Sequence, residues 1–145
     1  MENNSKFTRD NLYLVCIDTQ STLLLRAIDI RCIYVADVDA QQKSSISKLR
    51  VHVTSCLLSA GFDVLLSDAD ALWVKDPMND FESPRNNKSS IVASRGNFPL
   101  SLGHDWGSTM CMGFAFFRAS GKGMRVWQQL MVRIVRVTED DQVAV

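Results

Sequence analysis

The sequence predicts an α/β domain with a mostly parallel central sheet. Short apolar runs that suit buried strands alternate with segments in which apolar residues recur at helical spacing. One run is so continuous that it suits a strand buried on both faces, as in a parallel sheet. Hydrophobic residues make up 46% of the 145 residues, which is enough for one domain with its own core.

The first part of the chain has the order strand, helix, strand, helix. An apolar run at 12–17 leads into Asp18, which is suited to cap a helix, and helical spacing follows at 21–28. A second short run covers 32–36, and apolar residues then recur every three or four positions from 41 to 60. This alternation predicts a βαβ unit followed by an amphipathic helix.

The next strand is the most informative part of the sequence. Gly61 stands where a helix commonly stops, and the apolar run 62–66 follows at once. The run leads directly into Asp68 and Asp70, which are separated by Ala69. The pattern predicts a buried strand with two carboxylates at its carboxyl end.

The second part of the chain is less regular. Residues 80–90 indicate an exposed loop, 91–93 a short strand, and 94–109, rich in Gly, Ser and Pro, a long ordered loop. Residues 113–119 suit another strand, and 123–137 carry apolar residues at helical spacing. No internal repeat is apparent in the sequence.

Charge and hydropathy argue against several classes of partner. Sixteen basic residues balance sixteen acidic ones, so no net field favours nucleic acid or an anionic membrane. Every apolar run is far shorter than the roughly 20 residues of a spanning helix. Residues 1–10 are polar and are expected to form a flexible segment without a secretion signal. A signal or membrane anchor would then lie outside this chain.

The four cysteines are scattered and form no Cys-x-x-Cys pair, which argues against a zinc or redox site. Their apolar neighbours predict buried free thiols. A disulfide between Cys16 and Cys32 stays open as an alternative.

The acid pair predicts a site for a hard divalent cation. In an extended chain, residues two apart project to the same side, with Cα atoms about 7 Å apart. Where a strand leaves its sheet, Asp68 and Asp70 can converge on one ion and leave ligand positions for phosphate oxygens. Ligands of open α/β sheets also bind beyond the carboxyl ends of the strands. The alternative is a pair of loop acids that face water.

Three motifs together resemble the nucleotide-diphospho-sugar transferase family, which includes plant cell-wall xylosyl- and arabinosyltransferases. Residues 61–77 (GFDVLLSDADALWVKDP) resemble its Asp-x-Asp signature. Residues 113–118 (GFAFFR) resemble its glycine-led strand, and 141–142 its Asp-Gln pair. The resemblance covers about residues 11–145 and implies a GT-A-like, three-layer Rossmann-type domain.

The resemblance implies a glycosyltransferase that uses Mn²⁺ or Mg²⁺. Asp68 and Asp70 would serve the metal and the nucleotide, with Asp70 the better candidate for direct coordination. The resemblance implies a nucleotide-diphosphate sugar, UDP-linked, as the donor and a hydroxyl of a glycan, glycoprotein or other molecule as the acceptor. Family members are typically anchored in the Golgi membrane and face the lumen, so the resemblance implies a Golgi-lumenal or membrane-associated protein.

Other candidate residues have weaker support and a plain structural alternative. Lys48 and Arg50 could approach the diphosphate, or simply lie on a solvated helix face. The remaining candidates are Ala69 as a donor contact, Trp106, Gly113 and Gln142 as sugar or acceptor contacts, and Asp141 as a catalytic residue. Asp141 could instead begin a helix, and Trp106 could belong to a structured loop.

Two departures from the family pattern bear on activity. Cys111 stands two positions before the glycine-led strand, where many members carry Asn. The family also completes its metal and acceptor sites with residues that follow the Asp-Gln pair, so 11–145 is expected to be a partial domain.

Two rival functions stay open at this point. Haloacid-dehalogenase-like phosphatases also place Asp-x-Asp after an apolar strand, with the first acid as nucleophile. They usually carry Thr or Val where this chain has Leu72, although Asp140 and Asp141 resemble their later acidic motif. The second rival is a transferase-like domain that has no catalytic activity and persists as a fold or interaction module.

Overall fold

The structure, a computed structural model, describes residues 9–39, 41–83, 85–97, 100–122 and 124–138. A 3₁₀ turn at Arg9–Asn11 precedes ten elements. These are β1 (Leu14–Cys16), α1 (Thr19–Ala27), β2 (Cys32–Tyr34), α2 (Lys43–Ser59), β3 (Val64–Ser67), α3 (Met78–Phe81), β4 (Ile91–Gly96), α4 (Leu100–Trp106), β5 (Thr109–Phe117) and α5 (Met124–Thr138).

The first three elements form the predicted βαβ unit. Strands β1 and β2 pair in parallel, with Leu14 opposite Cys32, and α1 connects them. Asp18 caps α1, because its Oδ1 accepts a hydrogen bond from the backbone N–H of Ser21 at 2.7 Å. This bond lowers the pKa of the Asp18 carboxyl. The mixed α/β class and the parallel pairing of this unit are therefore confirmed.

Strand β3 lies in a second sheet whose pairing differs from the parallel arrangement expected for it. The strand order is β3-β5-β4, and the central strand β5 runs antiparallel to both neighbours. An apolar run indicates burial but carries no information on the direction of the partner strand. Because β3 and β4 flank β5, they run in the same direction without pairing.

The segment 94–109 is more regular than the long loop expected from its composition. Strand β4 continues to Gly96, helix α4 follows, and β5 begins at Thr109. Ser94 and Arg95 are exposed but still pair with β5 beyond a register shift after Ala93. Backbone pairing at a sheet edge tolerates polar side chains, and this explains why composition indicated a loop.

The core lies between the three-stranded sheet and the long helices. Its largest cluster consists of Leu58, Met112, Ala115, Phe117 and Met124, all at most 5% exposed. A smaller cluster joins Val51 of α2 to Met131 of α5. Gly61 has φ +90° and ends the turn after α2, as its position predicted. No described helix has the length and apolarity needed to cross a membrane.

All four cysteines are free thiols, as predicted, but their burial varies. Cys16 is buried, Cys32 and Cys111 are partly buried, and Cys56 is exposed on α2. The expectation of burial is thus wrong for Cys56, since α2 directs Val51, Thr54 and Leu58 to the core instead. Burial raises the pKa of the Cys16 thiol, and the nearby Cys32 adds to this rise.

Replacing Phe117 by Ala should destabilise the domain by about 3–5 kcal/mol, since the ring is fully buried and its removal leaves a cavity. Chemical denaturation measures the free energy of unfolding. Phe62→Ala is the matched control, because Phe62 is 62% exposed, and should change stability by less than about 0.5 kcal/mol. Equal losses in the two variants would contradict this description of the core.

Cys16 should be alkylated more slowly than Cys56, and only at higher pH, because the raised pKa keeps its thiol protonated. The folded chain then retains this proton above the pH at which the unfolded chain loses it. The contribution of Cys16 to stability therefore falls as pH rises through the folded pKa. Iodoacetamide labelling across pH, read by peptide mass spectrometry, measures the two rates. Similar rates in the folded chain would contradict the prediction, and the unfolded chain is the control.

Candidate functional site

Asp68 is the first residue after β3 and is still fixed by the sheet. Its backbone N–H donates a hydrogen bond of 2.8 Å to the carbonyl of Gly113 on β5. Ser67, the last residue of β3, pairs in register with Phe114. The antiparallel ladder therefore extends one residue beyond the strand and fixes the backbone from which the Asp68 side chain projects.

The chain turns directly after Asp68. The backbone N–H of Ala71 donates to the carbonyl of Asp68 at 3.1 Å, and Ala69 and Asp70 occupy the middle of this turn. Both middle residues are exposed. The two acids thus leave the sheet through a turn instead of an extended chain, and a local i to i+3 hydrogen bond is the reason.

The Asp68 carboxylate has a different neighbour on each side. Its Oδ1 lies 2.9 Å from Nη2 of Arg50 on α2, and the two side chains are 43% and 22% exposed respectively. Its Oδ2 lies over Gly113, where an added Cβ would be 2.5 Å from that oxygen. A glycine is therefore required at position 113 for the carboxylate to keep this orientation.

Trp73 fixes the chain on the far side of the turn. Its Nε1 donates to Oγ of Ser67 at 3.0 Å, and its ring packs edge-on against Phe114 with centroids 5.9 Å apart. The Phe114 ring in turn lies beside the ring of Phe81 on α3, with ring centroids 6.0 Å apart. Although Trp73 is 37% exposed, its two contacts hold the turn at 68–71, the acid turn, against β5.

Lys48 and Arg50 lie on the same helix but have different neighbours. Arg50 contacts Asp68, whereas Lys48 lies on the wall of an open cavity of about 420 Å³. Neither acid of the pair lines this cavity, which is bounded by Asp37, Val38, Ser45, Lys48, Leu49, Val51, His52 and Val132. Of these two residues, Arg50 is the one that the described contacts place directly on Asp68.

Described contacts join Arg50, Asp68 and Gly113 into one cluster. Trp106 is the last residue of α4, and its side chain is 69% exposed. Asp141 and Gln142 lie outside the described residues. Of the residues singled out from the sequence, Arg50 and Gly113 contact Asp68 directly.

The donor set suits a hard cation bound together with phosphate. Asp68 and Asp70 offer carboxylate oxygens, and Asp70 is exposed to solvent. Among the described residues, no group of three or more His, Cys, Asp or Glu could hold a metal ion. Mg²⁺ commonly binds one or two carboxylates and completes its shell with water and substrate phosphates, so a pair of acids fits that mode.

Sequence reasoning missed the ion pair that holds Asp68. Arg50 was considered as a contact to the diphosphate, and its position 18 residues before Asp68 gave no indication of their contact. A signal did exist, since a helix that leads into an adjacent strand through a short turn packs back against that strand. Arg50, one position before the buried Val51, lies at the edge of the packed face of α2.

Comparison with known protein families matches residues 8–145 to the family described as nucleotide-diphospho-sugar transferase. No curated protein matches the chain, and no solved structure matches it. The family match covers nearly the whole chain, including β3, the acid turn, β5 and every candidate residue. The chain therefore belongs to the nucleotide-diphospho-sugar transferase family.

Proposed function

We propose that the chain is the donor-binding part of a glycosyltransferase that uses Asp68 and Asp70 to hold a divalent cation against a nucleotide diphosphate. The family supports transfer from a nucleotide sugar to an acceptor. The observation that carries the proposal is the fixed carboxylate of Asp68, oriented by Arg50 and Gly113 beside the exposed Asp70.

The two acids have different roles in this proposal. Asp70 is exposed in the turn and offers its carboxylate directly to Mn²⁺ or Mg²⁺. Asp68 has Oδ1 on Arg50 and presents Oδ2, which reaches the metal shell or the ribose. When bound, the cation supplies Lewis-acid neutralisation of the diphosphate as it leaves. The chain's own contribution is to orient these oxygens at the end of β3.

The remaining contacts are proposed from exposure and from the family resemblance. The exposed backbone at Ala69 is close enough in sequence to the acids to contact the donor, and Lys48 provides a cation on α2 for the phosphates. Trp106 offers an exposed aromatic face suited to a sugar ring. Asp141 is proposed as a catalytic residue and Gln142 as an acceptor contact, both from the family resemblance.

The donor is proposed to be UDP-linked and the acceptor a hydroxyl of a glycan or glycoprotein. The proposed location is the Golgi lumen, where members of this family typically act. These assignments rest on the resemblance of residues 61–77 and 113–118 to the family's motifs.

Asp70→Ala should weaken Mn²⁺-dependent binding of UDP by at least about tenfold, because it removes a charged ligand that contributes about 1.5–3 kcal/mol. Isothermal titration calorimetry with UDP, in the presence and absence of Mn²⁺, measures this affinity. The fold should remain intact, since Asp70 is exposed in a turn.

The control is Asp105→Ala, which removes another exposed carboxylate, on α4, and should leave UDP binding unchanged. Unchanged binding in Asp70→Ala would refute the role of Asp70. A folded wild-type chain that does not bind UDP at all would instead favour a non-catalytic module. Trapping of a phospho-aspartate at Asp68 would favour the phosphatase alternative.

Gly113→Ala should also weaken Mn²⁺-dependent UDP binding, by about tenfold, and destabilise the domain by about 1–3 kcal/mol. The new methyl would lie 2.5 Å from Oδ2 of Asp68, so either the carboxylate or β5 must move.

Gly96→Ala on the neighbouring strand is the matched control for this change. Its new methyl would meet Thr109 Oγ1 at 3.2 Å, which small side-chain adjustments relieve, and it does not approach Asp68. Calorimetry and thermal unfolding of both variants test the prediction. Normal UDP affinity in Gly113→Ala would contradict the proposed orientation of Asp68.

A further inference from the structure

The Arg50 side chain projects from a helix that is packed against the core. Its neighbours on α2, Val51 and Thr54, are 2% and 1% exposed and fix the helix against the core. The Arg50 side chain is itself only 22% exposed. Because the helix cannot rotate without exposing this apolar face, the guanidinium is directed at Asp68 by the packing of α2.

The ion pair also changes the charge that the acid pair presents. Asp68 and Asp70 carry two negative charges, and the guanidinium 2.9 Å from Asp68 cancels one of them. The next cation along the chain, Lys75, has its own partner in Asp80 at 2.9 Å and so adds no further net charge. Among the described residues, a bare divalent ion therefore meets one carboxylate paired with Arg50 and a second, Asp70, for which no cation partner is described.

A single net negative charge on an exposed turn is a weak site for a free divalent ion. A nucleoside diphosphate adds several negative oxygens to the same ion, and Mg²⁺-type sites depend on such phosphate ligands. The charge balance at this turn thus suits the metal–diphosphate complex better than the ion alone.

We infer that Arg50 is a positioning residue that holds Oδ1 of Asp68 and cancels its charge, so that the acid pair takes up the cation as its complex with a nucleoside diphosphate. This inference rests on the proposed function. In this inference Arg50 acts on Asp68 and is not primarily a contact to the diphosphate. The affinity of the acid pair for the bare cation then depends on Arg50.

The test compares the wild-type chain with Arg50→Met and Arg50→Lys. Binding of Mn²⁺ alone is measured from the electron paramagnetic resonance signal of the free ion, and binding of UDP with Mn²⁺ by calorimetry. Arg50→Met should bind bare Mn²⁺ about tenfold more tightly than wild type, because removing a unit charge a few ångströms away changes the electrostatic energy on that scale. Arg50→Lys keeps the charge and should stay close to wild type.

Arg50→Met should also reduce the factor by which UDP increases the affinity for Mn²⁺. In the wild-type chain UDP should increase the affinity for Mn²⁺ strongly, and in Arg50→Met the gain should be smaller. Arg31→Met is the matched control, since Arg31 pairs with Asp10 at 3.2 Å on a different, exposed surface. This variant should match wild type in both measurements.

Asp68→Asn provides a second test of the role of Arg50, so that the conclusion does not depend on the folding of one variant. If Arg50 acts through Asp68, then Arg50→Met in the Asp68→Asn background should tighten bare Mn²⁺ binding much less than it does alone. Thermal unfolding confirms that each variant is folded.

The outcomes separate this inference from the proposed function. Equal affinity of wild type and Arg50→Met for bare Mn²⁺ would overturn the role of Arg50, even when UDP binds normally. Absence of Mn²⁺-dependent UDP binding in the wild-type chain would overturn the proposed function. The inference is supported when Arg50→Met binds bare Mn²⁺ more tightly than wild type and this gain disappears in the Asp68→Asn background.

Discussion

The Asp68 carboxylate connects two elements that are far apart in the sequence, the helix before it and the central strand after it. Arg50 contacts one oxygen and Gly113 lies under the other. Both charged side chains are partly solvated, so the ion pair contributes little to stability, at most about 1 kcal/mol. Its main effect is orientation, since two contacts restrict a side chain that would otherwise rotate at a strand end.

Strand β5 carries residues of both the core and the site. Met112 and Ala115 are buried in the main cluster, while Gly113 faces Asp68 and Phe114 packs on Trp73. Because β5 is the central strand, pairing with β3 on one side and β4 on the other, its position is fixed by the whole sheet. A change in core packing that displaced β5 would therefore move the acid turn as well.

Local patterns predicted the elements that depend on local interactions. The cap at Asp18, the helix that stops before Gly61, and the apolar strand leading to Asp68 all follow from neighbouring residues. Two features depend on contacts between distant segments: the antiparallel partner of β3 and the pairing of Arg50 with Asp68. The hydrophobic periodicity of a single sequence does not indicate such contacts. The motif resemblance singled out Gly113 as a sugar or acceptor contact, and its place against Asp68 is a finding of the structure.

The geometry also bears on which acid can do chemistry. In a phosphatase of the haloacid-dehalogenase type the first acid is the nucleophile and needs an oxygen with free approach to phosphorus. Here the first acid, Asp68, has one oxygen on a guanidinium and the other over the backbone of β5, while Asp70 is the open one. A carboxylate fixed in this way is better suited to hold a ligand than to attack one. This agrees with the family match and favours sugar transfer over phosphate hydrolysis.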